Sequence, residues 1–150
     1  MFRRLRSTSS TWSTLPLRLA WGAIFIGHGS QKVLGLFNGP GLKAFTGAAP
    51  PFHFMRPGWL WMGAAAFSEL IGGALLVLGF FTRLGAFLIL CVMLTAIIGV
   101  HWPVFFASSN GFEYPMALLA GALALLIAGG GHLSVDRLTG NRRSFPGRNR

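Results

Sequence analysis

The sequence is poor in cysteine and in the signatures of soluble enzymes. Cys91 is the only cysteine among 150 residues, so a disulfide within the chain is excluded, and so is dithiol redox chemistry, which needs two exchanging thiols. There is also no Gly-rich phosphate loop, nucleophile elbow or zinc signature. His53 and His132 have no partner at the spacing of metal ligands. We therefore predict no metal site.

Charged residues are equally scarce. They make up 11% of the chain, and 53% of the residues are hydrophobic, whereas roughly 25% of the residues in an average soluble domain are charged. A soluble domain of this length cannot hide so much apolar surface. The composition therefore indicates a membrane protein, with the lipid bilayer as its main partner.

Four apolar stretches are long enough to cross a bilayer as helices of about 20 residues. They cover residues 15–37, 58–79, 84–106 and 112–130. The links between the later stretches are short, which makes neighbouring helices antiparallel. We therefore predict an all-α, antiparallel four-helix transmembrane domain over residues 15–138. Small residues such as Gly72, Gly73 and Gly121 are expected where its helices touch.

The first apolar stretch follows three arginines, as in a secretory signal. It continues to residue 37 and lacks a small-residue cleavage pattern, so we predict a retained helix. Segments 1–14 and 139–150 are then basic tails, the second of them disordered.

The net charge of +10 does not indicate a nucleic-acid partner, because the basic residues lie near the chain ends and no readout motif accompanies them. Nine lysines and arginines fall before the first stretch, in the link at 80–83 and after the fourth stretch, and two, Lys43 and Arg56, fall on the opposite side. The more basic side of a membrane protein faces the cytoplasm. We therefore predict that both termini are cytoplasmic.

Five ionisable residues fall in the outer or middle part of the predicted spans, where a charge is costly unless it is paired or hydrated. At a rise of 1.5 Å per residue, Lys32, His101 and Glu113 come to one level, with His28 and Glu69 beneath them. We predict that these five residues line a polar pocket that opens outward, in which Glu113 pairs with Lys32, while Glu69 and His28 continue the chain of polar groups inward. Such residues relay protons or bind a polar head group, for example a quinone carbonyl. Alternatively, they form interhelical bonds that only fix the packing.

Three further charged residues are predicted at the inner edge of the bundle. Asp136 follows the glycines that end the fourth stretch, at the level where Arg18 and Arg83 emerge. We expect ion pairs among these three residues, with a structural role.

Short motifs occur in a definite order along the chain. They are Arg18 with GHGSQK at 27–32, ELIGG at 69–73, GFFTR at 79–83 and GHLSVD at 131–136. With these motifs in this order, the chain resembles the DoxX family of bacterial membrane proteins over about residues 15–138. The resemblance implies a four-helix protein of the plasma membrane, and the family pattern falls on His28, Lys32, Glu69, Arg83, Glu113 and Asp136.

The resemblance also implies a role. The superfamily includes a subunit that resembles the thiosulfate:quinone oxidoreductase component, and other relatives are associated with membrane-bound oxidoreductase assemblies. We therefore predict a membrane subunit of a quinone-linked or thiol- or sulfur-linked redox assembly. It would have no intrinsic cofactor and would bind quinone, with the electron carrier on an oxidoreductase partner. The alternatives are a transport module for a small solute or protons and a scaffold without chemistry, and the sequence also allows a homo-oligomer.

Overall fold

The computed structural model describes residues 12–140, so most of the two predicted tails lies outside the described residues. Over this range the chain is all-helical and contains no strand. The helices are α1 (Thr14–Leu34), α2 (Gly41–Gly47), α3 (Gly58–Leu78), α4 (Thr82–Ala96, continued by a π-helical turn at Ile97–His101), α5 (Glu113–Ala128) and α6 (Val135–Gly140), with a 3₁₀ turn at Ala107–Ser109 between α4 and α5.

The helix ends have local causes. Helix α1 ends three residues before the predicted limit, because Gly35 adopts a left-handed conformation (φ 69°) and its N–H donates to the Ser30 carbonyl. The predicted third stretch ends at His101 instead of residue 106, since Pro103 has no N–H with which to continue a helix. The Gly/Pro-rich segment 38–57, which connects the first two predicted stretches, contains the short helix α2.

Helix α3 is central, and its two adjacent glycines contact different neighbours. A Cβ built on Gly73 would lie 2.7 Å from the backbone nitrogen of Ile26 on α1. A Cβ on Gly72 would lie 3.2 Å from the Gly85 carbonyl oxygen on α4. Such approaches require residues without side chains, which is how helices associate when lipid supplies no hydrophobic drive. The predicted role of both glycines is confirmed.

The contact between α1 and α3 gives a matched pair of variants. A Cβ on Gly29 would lie 2.5 Å from the backbone nitrogen of Leu70, whereas a Cβ on Gly27 would meet nothing within 4 Å. We expect Gly29→Ala to cost about 1–3 kcal/mol, because α1 and α3 must separate. Gly27→Ala should be neutral or stabilising by up to about 1 kcal/mol, because alanine is the better helix former.

Unfolding free energies in detergent micelles would check this pair. Gly27→Ala is the control, because it shows the effect of replacing a helical glycine that touches no neighbouring helix. Equal losses in the two variants would contradict the close contact between α1 and α3.

The long helices place two different sets of residues at the two ends of the molecule. At one end, which we call the Arg18 end, the start of α1 meets the α3–α4 link and the residues after α5. There the Asp136 N–H donates to the Gly79 carbonyl at 2.9 Å. At the other, the Lys32 end, the segment between α1 and α3 meets the end of α4, where Pro51 packs against Gly99.

Two helical segments are long and apolar enough to cross a membrane, namely Gly58–Leu78 and Thr82–His101. Glu113–Ala128 is apolar but shorter. Only 28% and 22% of the residues of the two longer segments are buried inside the molecule. Large apolar side chains such as Ile71 and Phe87 are half exposed on them. These faces would be costly in water and suit a lipid environment.

Candidate functional site

The central feature of the site is an ion pair between α1 and α3. The Lys32 Nζ lies 2.5 Å from each carboxylate oxygen of Glu69. Glu69 is 2% exposed, whereas the Lys32 side chain is 25% exposed. The pair sits directly beside the close contact of the two helices, since Lys32 follows Gly29 by one turn and Glu69 precedes Leu70. The glycine contact therefore brings the lysine to the carboxylate.

A cavity of about 730 Å³ borders this ion pair and lies between the parts of α3 and α4 that are nearer the Lys32 end. Most of its lining is apolar, with five polar side chains among the lining residues. These are Lys32, Ser68, Glu69, Thr95 and His101. The volume and the few polar groups in an apolar wall are typical of small-molecule sites.

The cavity has a roof at the Lys32 end. The Phe45 ring of α2 lies beneath the Lys32 ammonium, with 5.3 Å between the Nζ and the ring centroid. Ala49, Pro51 and Met55 of the following segment also line the cavity. The cation–π contact and this segment form the wall of the cavity at its Lys32 end. We call this wall the roof.

His101 closes the same end with a defined hydrogen bond. Its Nδ1 lies 2.7 Å from the Asn110 carbonyl oxygen. A ring nitrogen facing a carbonyl must carry the proton, so in the neutral ring Nε2 is the acceptor. His101 therefore brings a proton acceptor to the wall of the cavity.

The structure brings three of the five predicted pocket residues together and leaves two outside. Lys32, Glu69 and His101 line the cavity, and His28 and Glu113 do not. The predicted pairing of Glu113 with Lys32 is wrong, because Lys32 and Glu69 pair with each other.

His28 is exposed on α1. Around the helix axis, His28 lies about 100° from Gly29, and Lys32 lies about 60° from Gly29 in the same direction. The longer lysine side chain reaches across to α3, and the imidazole does not.

Glu113 begins α5 and folds back onto the chain that precedes it. One of its carboxylate oxygens accepts a hydrogen bond from the Ala107 N–H at 2.7 Å. Ala107 begins the 3₁₀ turn, whose free N–H groups favour a nearby carboxylate. Glu113 therefore caps a local turn instead of facing Lys32.

Arg18 and Asp136 meet at the Arg18 end, as predicted, but through backbone groups. The Arg18 Nη1 donates to the Gly130 carbonyl at 2.7 Å and its Nη2 to the Leu133 carbonyl at 2.8 Å. The Asp136 carboxylate accepts the N–H groups of Phe81 and Thr82 at 2.8 and 2.9 Å.

These two N–H groups begin α4, so Asp136 acts as the N-cap of a helix from a distant part of the chain. Arg18 and Asp136 interact electrostatically, without the direct ion pair that we predicted. The Arg83 Nη2 donates to the Ile127 carbonyl at 2.8 Å.

Sequence reasoning missed Phe45, Ser68 and Thr95. A signal for Thr95 exists in the spacing Cys91, Thr95, Gly99, because small residues at intervals of four leave a hollow along one face of a helix. No three side chains of the types that ligate metals come together within residues 12–140.

An all-helical fold, exposed apolar faces and an ion pair buried between helices together indicate a helical membrane protein. The chain belongs to the DoxX family, whose sequence profile matches residues 13–102, more than half of the chain. All residues that line the cavity, from Lys32 to His101, fall within this match. Glu113 and the motif at 131–136, to which the predicted resemblance extended, lie beyond it. Neither the curated proteins nor the solved structures contain a significant match.

Proposed function

We propose that this chain is a multi-pass protein of the bacterial plasma membrane, in which α1, α3, α4 and α5 cross the bilayer as an antiparallel bundle with both termini in the cytoplasm. The distribution of lysine and arginine supports this orientation. Exposed aromatic residues gather at the Lys32 end, where they suit the outer interface. These are Trp59, Trp61, Trp102 and Tyr114.

We further propose that it is the membrane subunit of a redox assembly whose cavity binds a quinone or a small reductant beside Lys32 and Glu69. The observation that carries this proposal is the ion pair bordering a cavity at mid-depth. Glu69 is eleven residues from the start of α3, or ~16 Å along a helix. An ion pair that only joined two helices would be sealed by packing.

The chain's own residues would hold the ligand and move its protons. The Lys32 ammonium donates a hydrogen bond to a carbonyl oxygen of the quinone head group. Glu69 and His101 exchange protons with the head group. Reduction of a quinone to a quinol consumes two electrons and two protons. A single cysteine cannot cycle a dithiol, so an oxidoreductase partner would supply the electrons.

The test compares quinone bound to the wild type and to the Lys32→Met/Glu69→Gln double variant, both purified from native membranes in mild detergent. The double variant carries neither charge, so a loss of binding cannot come from an isolated buried ion. We expect the wild type to retain quinone through washing and the double variant to retain about tenfold less, as measured by extraction and mass spectrometry.

Gly27→Ala serves as the control for handling, because this substitution touches nothing near the cavity. Equal retention in all three proteins would place the quinone elsewhere, and absence of quinone from all three would overturn the proposed ligand. Solute uptake that is coupled to pH in vesicles and lost in Glu69→Gln would then favour the transport alternative.

A further inference from the structure

We infer that the ligand of this cavity is a neutral amphipathic molecule dissolved in the bilayer, and that it reaches the site sideways, between α3 and α4. The inference rests on the proposed function and chooses among its ligands, favouring a lipid-soluble quinone over a water-soluble, anionic sulfur compound or thiolate.

The position of the cavity mouth supports lateral access. Five lining residues are exposed on the molecular surface, and four of them lie on the two helical segments apolar enough to cross a membrane. These four are Trp61 and Ala64 on α3 and Cys91 and Val100 on α4 and its π-helical continuation. The fifth, Ala49, lies in the segment between α2 and α3. Cys91 is nine residues from the start of its segment, or ~14 Å along the helix. At Ala64 and Cys91 this side of the cavity therefore faces hydrocarbon once the helices span the bilayer. Trp61 and Val100 lie nearer the outer interface.

Small side chains create this mouth. Ala64, Ala65 and Ser68 line the cavity from α3, and Cys91 and Thr95 face them from α4. The same two helices touch backbone to backbone lower down, at Gly72 and Gly85. The two helices meet there and hold the cavity between them toward the Lys32 end. An isoprenoid chain would leave through this cleft while its head group lies beside Glu69.

The charge of the site selects against an anion. Glu69 is 2% exposed, and both of its carboxylate oxygens bond Lys32. An anionic ligand that accepted the third N–H of the Lys32 ammonium would place a second negative charge beside the buried carboxylate, with one cation for two anions, which is costly in the interior. A neutral head group that accepts a hydrogen bond from Lys32 leaves the net charge of the site unchanged. The ion pair therefore favours a quinone.

The roof is less suited to admit the ligand. Phe45 lies against the Lys32 ammonium, and Pro51 packs onto Gly99. Of the lining residues in this segment only Ala49 is exposed, so a water-soluble ligand would have to enter beside it, past Phe45 and Pro51.

The experiment uses full-length protein in nanodiscs of phosphatidylcholine and phosphatidylglycerol, with a short-chain benzoquinone that carries a photoreactive diazirine on its tail. Two substitutions test the two routes. Ala64→Trp fills the lateral mouth, and Ala49→Trp fills the roof. Leu60→Trp, on the exposed surface of α3 and outside the cavity lining, is the matched control. Crosslinks are mapped by mass spectrometry, and unlabelled quinone and thiosulfate serve as competitors.

We expect crosslinks on α3 and α4 at the cavity mouth, a loss of about tenfold in Ala64→Trp, a smaller loss in Ala49→Trp, which leaves the lateral mouth open, and wild-type yield in Leu60→Trp. Unlabelled quinone should compete and thiosulfate should not. Loss of crosslinking in Ala49→Trp with full yield in Ala64→Trp would overturn lateral access. Competition by thiosulfate would overturn the selection of neutral ligands. In both cases the proposed function stands. No crosslink at the cavity in the wild type would overturn the proposed function itself.

Discussion

Lys32→Met should destabilise the protein more than Glu69→Gln, although both variants break the same ion pair. Glu69 is 2% exposed, so loss of Lys32 strands its carboxylate in the interior. Removal of one partner from a buried ion pair costs about 3–5 kcal/mol. Lys32 is 25% exposed and two residues from the end of α1, so without Glu69 its ammonium can extend to the interface. We expect Glu69→Gln to cost about 1–3 kcal/mol.

The measurement is a double-mutant cycle on the unfolding free energy in detergent micelles. Replacement of a buried ion pair by apolar groups is often neutral. The cycle compares Lys32→Met, Glu69→Leu and the double variant Lys32→Met/Glu69→Leu, and the double variant should therefore be more stable than Lys32→Met alone. Losses that simply add in this double variant would show that the two residues do not interact, which would contradict the ion pair on which the site depends.

Arg18→Met should be the most damaging substitution at the Arg18 end. The Arg18 side chain is 2% exposed, and its guanidinium satisfies the carbonyls of Gly130 and Leu133. The variant would leave two carbonyls without donors and would remove the cation that interacts with the buried Asp136. We expect a loss of about 3 kcal/mol or more.

Two other arginine variants make this expectation specific. Arg18→Lys keeps the charge but lacks the planar fork that bonds two carbonyls, so its loss should be intermediate. Arg83→Met should cost less, because the hydrogen bond from Arg83 to Ile127 lies at the exposed surface. Urea or detergent titrations in which the Arg18 and Arg83 variants unfold alike would contradict the described role of the Arg18 end.

Helix contacts were the most predictable part of the structure. Adjacent glycines such as Gly72 and Gly73 serve no purpose on a lipid-facing surface, so their presence in an apolar stretch already indicates close helix packing. The positions of the glycines also decide that Lys32 lies at the α1–α3 contact. The positions of small residues therefore indicate which helix faces meet, but they do not predict the partners of the charged side chains.

The partners could not be predicted because height along a helix does not fix the direction of a side chain. Lys32 and Glu113 were expected to pair because their estimated heights agree. In the structure, Glu113 bonds the Ala107 N–H a few residues upstream, since a local unsatisfied donor competes well with a distant cation. His28 shares a helix face with Lys32, but its shorter side chain remains exposed.

The cavity itself could have been found from the spacing of small residues. Cys91, Thr95 and Gly99 recur at intervals of four and all line the cavity. Without knowledge of which helices are neighbours, this pattern predicts tight packing and a hollow equally well. In the structure, α3 and α4 touch at Gly72 and Gly85. Cys91, Thr95 and Gly99 lie farther along α4 and its π-helical continuation, where these small residues border a cavity.

The most direct measurement is an experimental structure of the protein in lipid nanodiscs with a short-chain quinone. We predict a quinone head group beside Lys32 and Glu69, with its tail leaving between α3 and α4 toward the lipid. A cavity closed by direct packing of α3 on α4, or a quinone bound away from the ion pair, would contradict the account.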